Sequence, residues 1–146
     1  MRFPSRMRSE RGAALIEAAI IIPLLLLVAV VIFEFGRAFE TWQVMTNAAR
    51  EGARIAVLPN PQPGAVDARV RSYLDVGLLS NVSLVHVDVD RAVQIPIGAT
   101  TATGSRVTVT YPFEFIVLQP VANLVVRGST LGRPLTLTTS ALMRNE

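Results

Sequence analysis

The sequence predicts an α+β protein, in which a long N-terminal helix crosses a membrane and carries a small domain with a short helix and an antiparallel β-sheet. Two observations predict this fold class. No charged residue occurs between Ala18 and Phe33, and extension of this run back to Ala13 adds only Glu17. This length approaches the roughly 20 apolar residues that span a bilayer core. Further along the chain, apolar and polar residues alternate with the period of half-buried strands.

The composition agrees with one domain plus an anchor. Of the 146 residues, 51% are hydrophobic, which is high for a soluble domain of this size. The formal net charge is +3 and every basic side chain is an arginine, but these scatter instead of forming the patch of a nucleic-acid binder. The chain has no cysteine, which excludes disulfides, thiolate zinc sites and a cysteine nucleophile.

Residues 1–12 form a basic leader, MRFPSRMRSERG, directly before the apolar run. Arginines beside a membrane segment favour the cytoplasmic side. We therefore expect a single-pass protein of the inner (cytoplasmic) membrane, with a cytoplasmic N-terminus and an extracytoplasmic C-terminal domain. The arginines of the leader are Arg2, Arg6, Arg8 and Arg11.

One continuous helix is predicted over residues 13–57, with the transmembrane part at 13–34 and an extracytoplasmic continuation at 35–57. Such a helix measures roughly 65 Å at 1.5 Å per residue, whereas a bilayer core is about 30 Å thick. Its outer half therefore projects beyond the membrane. This outer half is amphipathic, because apolar residues recur along it at helical spacing, namely Phe35, Phe39, Trp42, Met45 and Ala49.

The remaining residues, 58–146, are predicted to form the small α+β domain. Three prolines in LPNPQPG end the first helix, because proline lacks the amide donor and restricts its predecessor. A second helix follows from about Ala65 to Leu79. Strands are expected at Leu84–Asp90, Arg106–Tyr111 and Leu135–Leu142, with a turn or flexible loop at Gly98–Ser105. The apolar segment Phe113–Val126 is expected to be core or a partner- or membrane-proximal surface.

The most informative local pattern is Gly12-Ala-Ala-Leu-Ile-Glu17, where a lone carboxylate lies just inside the apolar helix. An acid at the centre of a membrane helix costs about 2.5 to 3.5 kcal/mol, and less near its end. Cleavage after Gly12 would give Ala13 a free amine, which could pair with Glu17 of an adjacent subunit. An ordinary signal anchor is the alternative, whereas a removable signal peptide is disfavoured by the long apolar run and the lack of an A-x-A site.

Further residues of the helix are candidates for contacts in an assembly. Pro23 frees one backbone carbonyl, which either lets the helix bend or leaves a harmless kink. A glycine inside a helix costs roughly 1 kcal/mol against alanine, and close approach of another backbone would explain that cost. The charged residues either match charges on packed subunits or form a solvated face. The glycines are Gly36 and Gly52, and the charged residues are Glu34, Arg37, Arg50, Glu51 and Arg54.

Catalysis is not supported by the sequence. His86, Asp88 and Asp90 share one face of a predicted strand, but this spacing is more typical of a solvent-facing side than of a metal site. No phosphate-binding loop or Ser-His-Asp set stands out. We therefore expect no enzymatic activity, no metal and no cofactor, and leave open a signal-anchored module that binds a ligand or a cell-wall component.

Several of these motifs together resemble the TadE-like proteins, which are pseudopilins or minor pilins of tight-adherence (Flp-type) pilus systems. The resemblance extends over residues 11–56. It implies cleavage after Gly12 by a membrane-embedded aspartyl prepilin peptidase. It also implies pilus assembly with other pilins or pseudopilins, a secretion ATPase and an inner-membrane platform, without nucleic acid or a small-molecule substrate. The motifs are Gly12 with Glu17, Pro23, Glu34-Phe-Gly-Arg37 and Asn47-Ala-Ala-Arg-Glu-Gly-Ala-Arg54.

Two departures from the major pilins of these systems indicate an accessory subunit. The residue after Glu17 is Ala18, whereas the major pilins usually carry tyrosine there. The chain after the helix is also far longer than in a major pilin. The resemblance therefore implies a protein that assists assembly through helix packing and lateral domain contacts, and that either remains in the membrane or enters the filament.

Overall fold

The computed structural model describes residues 6–77, 79, 81–125, 127–128 and 130–145. Within them the chain forms a long helix followed by a short helix and a three-stranded antiparallel sheet, which confirms the predicted α+β class. The elements in chain order are α1 (Arg6–Ala56), α2 (Ala65–Val76), a 3₁₀ turn (Val82–Leu84), β1 (His86–Ile97), β2 (Thr100–Phe113), α3 (Leu118–Val125) and β3 (Leu135–Arg144).

Helix α1 is 51 residues long, or about 77 Å at 1.5 Å per residue. It begins at Arg6, earlier than the predicted start at Ala13, because the residues before Gly12 are good helix formers and a single glycine costs only about 1 kcal/mol. It ends at Ala56, just before the proline-rich segment. The Arg91 guanidinium and the Ser105 hydroxyl donate hydrogen bonds to the Ala56 carbonyl at 3.1 and 3.3 Å, which satisfies a backbone acceptor left free at the helix end.

The sheet has the order β1-β2-β3, with β2 in the centre. The prediction of a turn or loop over Gly98–Ser105 is wrong, because only Gly98 and Ala99 form the turn and β2 already begins at Thr100. Gly98 adopts φ 60°, the left-handed conformation that a tight turn favours in glycine. Gly104 instead lies within the strand, where a Cβ atom would come within 2.7 Å of the Met143 carbonyl oxygen.

The core forms where the outer half of α1 meets α2 and β2. Alanines on one face of α1 allow both elements to approach closely, and they pack against valines and a leucine. Of the five residues in the predicted apolar stripe, Met45 and Ala49 are buried, whereas Phe35, Phe39 and Trp42 are exposed. The domain covers the alanine-rich face beside the aromatic one. The fully buried residues of this core include Ala48, Ala53, Ala56, Val70, Leu74, Val107 and Val109.

Strand β2 runs antiparallel to α1, from the end of the helix back toward its apolar half. Near its start, Ser105 contacts the Ala56 carbonyl, and at its end the Phe113 ring lies 5.1 Å from the Arg37 guanidinium carbon. Strand β3 then runs outward again, and its Thr139 hydroxyl lies 3.1 Å from the Thr46 hydroxyl of α1. The described residues of the connection between β2 and β3 (114–125, 127–128 and 130–134) therefore lie at the end of the sheet nearest the apolar half of α1.

The ambiguous segment Phe113–Val126 combines several structures. Phe113 ends β2 in the core, and α3 follows within the connection. Ile116 is exposed, whereas Ala122 is buried. Val126 lies outside the described residues. The segment is thus partly core and partly surface, at the level where α1 becomes apolar.

Candidate functional site

Helix α1 is long and apolar enough to span a membrane, and it is the one such helix among the described residues. The domain buries none of its most apolar window. Large side chains such as Leu15, Leu24 and Ile32 are exposed. A helix that is apolar all round and uncovered by its own domain suits a lipid environment, and this agrees with single-pass anchoring.

The residues expected at the processing site lie on this uncovered helix. Gly12 and Ala13 are both helical, and no atom outside the helix backbone comes within 4 Å of a Cβ built on Gly12. Glu17 is exposed and forms no hydrogen bond or ion pair with another described residue of its own chain. Pro23 lies inside a helix that is continuous on both sides of it.

Glu34 lies at the junction between the apolar helix and the domain, and its side chain is 0% exposed. One carboxylate oxygen, Oε2, accepts a hydrogen bond from Arg37 Nη1 at 2.8 Å. The other, Oε1, accepts from the backbone N–H of Val117 and, at 3.4 Å, from that of Leu118. Charge-assisted hydrogen bonds of this kind are about twice as strong as neutral ones.

The carboxylate of Glu34 therefore caps the start of α3. The first N–H groups of a helix have no partner within it, and the positive end of the helix dipole favours an anion there. Pro120 lies in the first turn of α3, where its missing N–H removes no intrahelical bond. Glu34 thus links α1 to the β2–β3 connection, because its carboxylate accepts hydrogen bonds from backbone N–H groups of the connection.

Arg37 closes the same junction from the other side. Its side chain is 26% exposed, and its guanidinium stacks over the Phe113 ring at 5.1 Å. The burial of Glu34 within its own chain is an arrangement that neither sequence alternative included, because its partners are backbone groups more than eighty residues away. The sequence signal that could have indicated this junction was an acid and an arginine one helical turn apart at the end of an uncharged run.

A second group of charges joins α1 to α2 at the rim of the core. Glu51 pairs with Arg54 at 3.2 Å and with Arg69 of α2 at 3.1 Å. The hydrogen bonds from Arg69 and Arg54 lower the pKa of Glu51, so their stabilising contribution is present at neutral pH and is lost as the pH falls through that lowered pKa. Arg50 instead donates to the Asn47 side chain at 3.3 Å. These groups are exposed enough that each pair contributes little.

The two mid-helix glycines have opposite surroundings. A Cβ on Gly52 would lie 2.6 Å from Val70 Cγ2 and 3.2 Å from Val107 Cγ1, so side chains of α2 and β2 occupy that space. The close approach expected at Gly52 is therefore present, although side chains make it and not a backbone. Among the described residues, no atom outside the nearby helix backbone comes within 4 Å of a Cβ built on Gly36. Packing within the described chain thus explains Gly52 and leaves Gly36 open to an outside contact.

We expect Gly52→Leu to destabilise the domain by about 2 to 3 kcal/mol, because overpacking a well-filled core costs about 1 to 3 kcal/mol. Gly36→Leu is the matched control. It should leave stability unchanged or raise it by up to about 1 kcal/mol, through helix propensity. Urea unfolding of the full chain in detergent micelles, followed by circular dichroism, measures both variants. Equal stabilities would contradict the assigned packing.

The domain also has an open cleft of about 550 Å³ between α1, the end of α2 and the end of β2. Its lining mixes Arg37, Glu40 and Glu114 with apolar groups and indicates no particular ligand. His86, Asp88 and Asp90 are exposed on one face of β1, as their alternation predicted. Among the described residues, no group of three histidines or acids is close enough to hold a metal ion.

Comparison with known proteins gives one match. The family of TadE-like proteins matches residues 12–54, less than a third of the chain. Neither the curated proteins nor the solved structures give a match. The matched range begins at Gly12, contains Glu17 and the Glu34–Arg37 junction, and ends at Arg54. The long helix of this chain is therefore similar to the TadE-like proteins, which confirms the resemblance that its sequence motifs indicated.

Proposed function

We propose that this protein is a pseudopilin or minor pilin that acts in the assembly of a tight-adherence (Flp-type) pilus. Membership of the helix in the TadE-like family links the chain to these pilus systems. The observation that carries the finer proposal is the placement of Glu17, which lies on a helix uncovered by its own domain and has no described partner there. A carboxylate in that position requires a partner from another molecule.

The proposed partner is the amine that cleavage after Gly12 creates on Ala13 of a neighbouring subunit. Ala13 and Glu17 are one helical turn apart, about 6 Å along the axis. Two parallel helices offset by about one turn therefore bring the amine of one beside the carboxylate of the other. Such a pair fixes register more reliably than it adds stability. Gly36, which is open on its own chain, would allow a neighbouring helix to approach closely.

In this proposal the leader stays in the cytoplasm and the domain lies outside. A membrane-embedded prepilin peptidase removes residues 1–12, after which the helix packs with other pilins on the inner-membrane assembly platform. The exposed aromatic face of α1, formed by Phe35, Phe39 and Trp42, is available for lateral contacts beyond the membrane. The Phe39 and Trp42 rings already lie against each other, with centroids 6.1 Å apart.

Substitution of Gly12 tests the processing step. Because α1 runs through Gly12, the peptidase has to open the helix there, and a glycine makes opening easier by about 1 kcal/mol relative to alanine. We expect Gly12→Leu to insert normally but to retain the leader. Gly36→Leu, another open helical glycine, should be cleaved like the parent. Intact mass and N-terminal sequencing of protein from native membranes distinguish the two forms.

The result also separates the two candidate classes. An N-terminus at Ala13 in the parent and at Met1 in Gly12→Leu supports the pseudopilin. Retention of the leader in the parent, in a host that has the peptidase, would contradict it. The chain would then be a signal-anchored extracytoplasmic module that binds a ligand or a cell-wall component.

A further inference from the structure

We propose that the β2–β3 connection, in its described residues 114–125, 127–128 and 130–134, rests in the interfacial layer of the same membrane that α1 crosses. The protein would then contact the membrane at two places, through the transmembrane helix and through this connection of the domain. The partner is the lipid surface on the domain's side of the bilayer. This inference does not depend on the pilus, because it requires only that α1 spans the membrane.

The position of the connection relative to the membrane follows from its contacts with α1. Glu34 is the first charged residue after the uncharged run, so it marks the place where α1 leaves the hydrocarbon. The backbone N–H groups of Val117 and Leu118 donate to the Glu34 carboxylate, which holds α3 at that level. The Phe115 ring lies 6.2 Å from the Phe35 ring, one residue further out along α1.

The chemistry of the connection suits this position. Residues 115–126 include no charged side chain. Ile116 is 63% exposed, and Phe35, whose ring contacts the neighbouring Phe115, is 56% exposed, so apolar surface faces outward where the membrane begins. Arg127 and Arg133 follow α3 and are both exposed. Arginines at such a boundary place the charged head beside lipid phosphates while their stems cover apolar surface.

Continuity with the transmembrane helix favours lipid over a protein partner. The apolar surface of the connection meets α1 at Phe35, whose ring contacts that of Phe115, and the exposed side chain of Phe33 lies two residues nearer the bilayer on the same helix. The carboxylate of Glu34 is compensated by Arg37 and two backbone donors, so Glu34 places no unpaired charge at the boundary. Glu114, at the start of the connection, is an exposed acid, and the apolar surface lies on the residues that follow it. An apolar surface flanked by basic residues is typical of segments that lie in the interface plane.

The chain has no cysteine, which allows single-cysteine probes without other changes. Ile116→Cys and Leu131→Cys report on the connection. Ile97→Cys is the matched control, because Ile97 is 45% exposed and lies at the β1–β2 turn, at the far end of the sheet. Leu25→Cys, within the apolar run, is the membrane reference. The full chain is labelled with an environment-sensitive fluorophore and reconstituted into vesicles of phosphatidylcholine and phosphatidylglycerol that carry nitroxide-labelled lipid.

We expect nitroxide lipid to quench the probes at 116 and 131 several-fold more than the probe at 97, and to approach the quenching at 25. Their fluorescence emission should also lie further to the blue in vesicles of this composition than in control samples of the protein in detergent-free buffer. Equal quenching at 116, 131 and 97 overturns the proposal. The proposal is also overturned if the cysteine at 116 is protected from labelling in native membranes but its probe is not quenched in vesicles. A protein partner would then cover the connection. If the probe at 25 is exposed to water, α1 does not span the membrane, and the proposal is overturned as well.

Discussion

Glu34→Ala is expected to lower the free energy of unfolding of the domain by about 3 kcal/mol, because it removes one partner of a buried ion pair. The substitution also leaves the backbone N–H groups of Val117 and Leu118 without their acceptor. An unsatisfied buried donor costs about 1 to 3 kcal/mol. The loss should concentrate at the start of α3, since the core around Met45 lies further out along α1.

Glu34→Gln is the conservative control. Its amide oxygen can still accept from the backbone, but the ion pair with Arg37 is lost, so we expect a smaller effect of about 1.5 kcal/mol. Urea unfolding in micelles gives the stabilities, and hydrogen exchange at the Val117 and Leu118 amides reports the local change. Parent-like exchange of both amides in Glu34→Ala would show that the carboxylate does not hold the connection.

The features that the sequence predicted well are those that depend on short-range patterns. The apolar run predicted the spanning part of α1, and the prolines after Leu58 predicted its end. Valine alternation placed parts of β1 and β2 correctly. These patterns work because helix and strand periods appear directly in the order of apolar residues.

Tertiary packing decided the features that the sequence predicted poorly. Threonines around Gly104 were read as a loop, but pairing with Ile95 and Met143 on both sides makes this segment a central strand. Phe35 and Phe39 belong to the apolar stripe that the helical spacing predicts, but both are exposed. The domain packs on the alanine face instead, where small side chains allow closer approach.

Short-range sequence patterns also could not predict the hydrogen-bond partners of Glu34. They are backbone donors at the start of α3, and only the antiparallel course of β2 along α1 brings them there. The motif Glu34-Phe-Gly-Arg37 did identify the position as special. Its role in joining the helix to the domain became visible only in the fold.

Glu17→Ala is expected to abolish pilus assembly while leaving insertion and abundance unchanged or improved. The substitution removes a charge from an apolar helix, which makes insertion more favourable. It also leaves the amine of Ala13 on a neighbouring subunit without its partner, so the axial register is lost. Glu17→Gln should fail nearly as completely, because the amide keeps the size of the side chain and loses the charge.

Glu40→Ala is the matched control for Glu17→Ala. Glu40 is an exposed glutamate on the same helix but lies beyond the membrane segment. It should therefore insert and assemble like the parent. A plain signal anchor makes a different prediction, since all three substitutions would then be silent.

The most direct test of the central claim is photo-crosslinking inside the native membrane. A photoreactive residue at Val28, an exposed position within the apolar run, is combined with either Glu17 or Glu17→Ala, and the adducts are identified by mass spectrometry. The pseudopilin account predicts adducts with other pilin subunits of the tight-adherence system when Glu17 is present. It predicts the loss of both the adducts and the pili in Glu17→Ala. Wild-type pili and unchanged pilin adducts in Glu17→Ala, or no pilin adduct in the parent, would contradict the account.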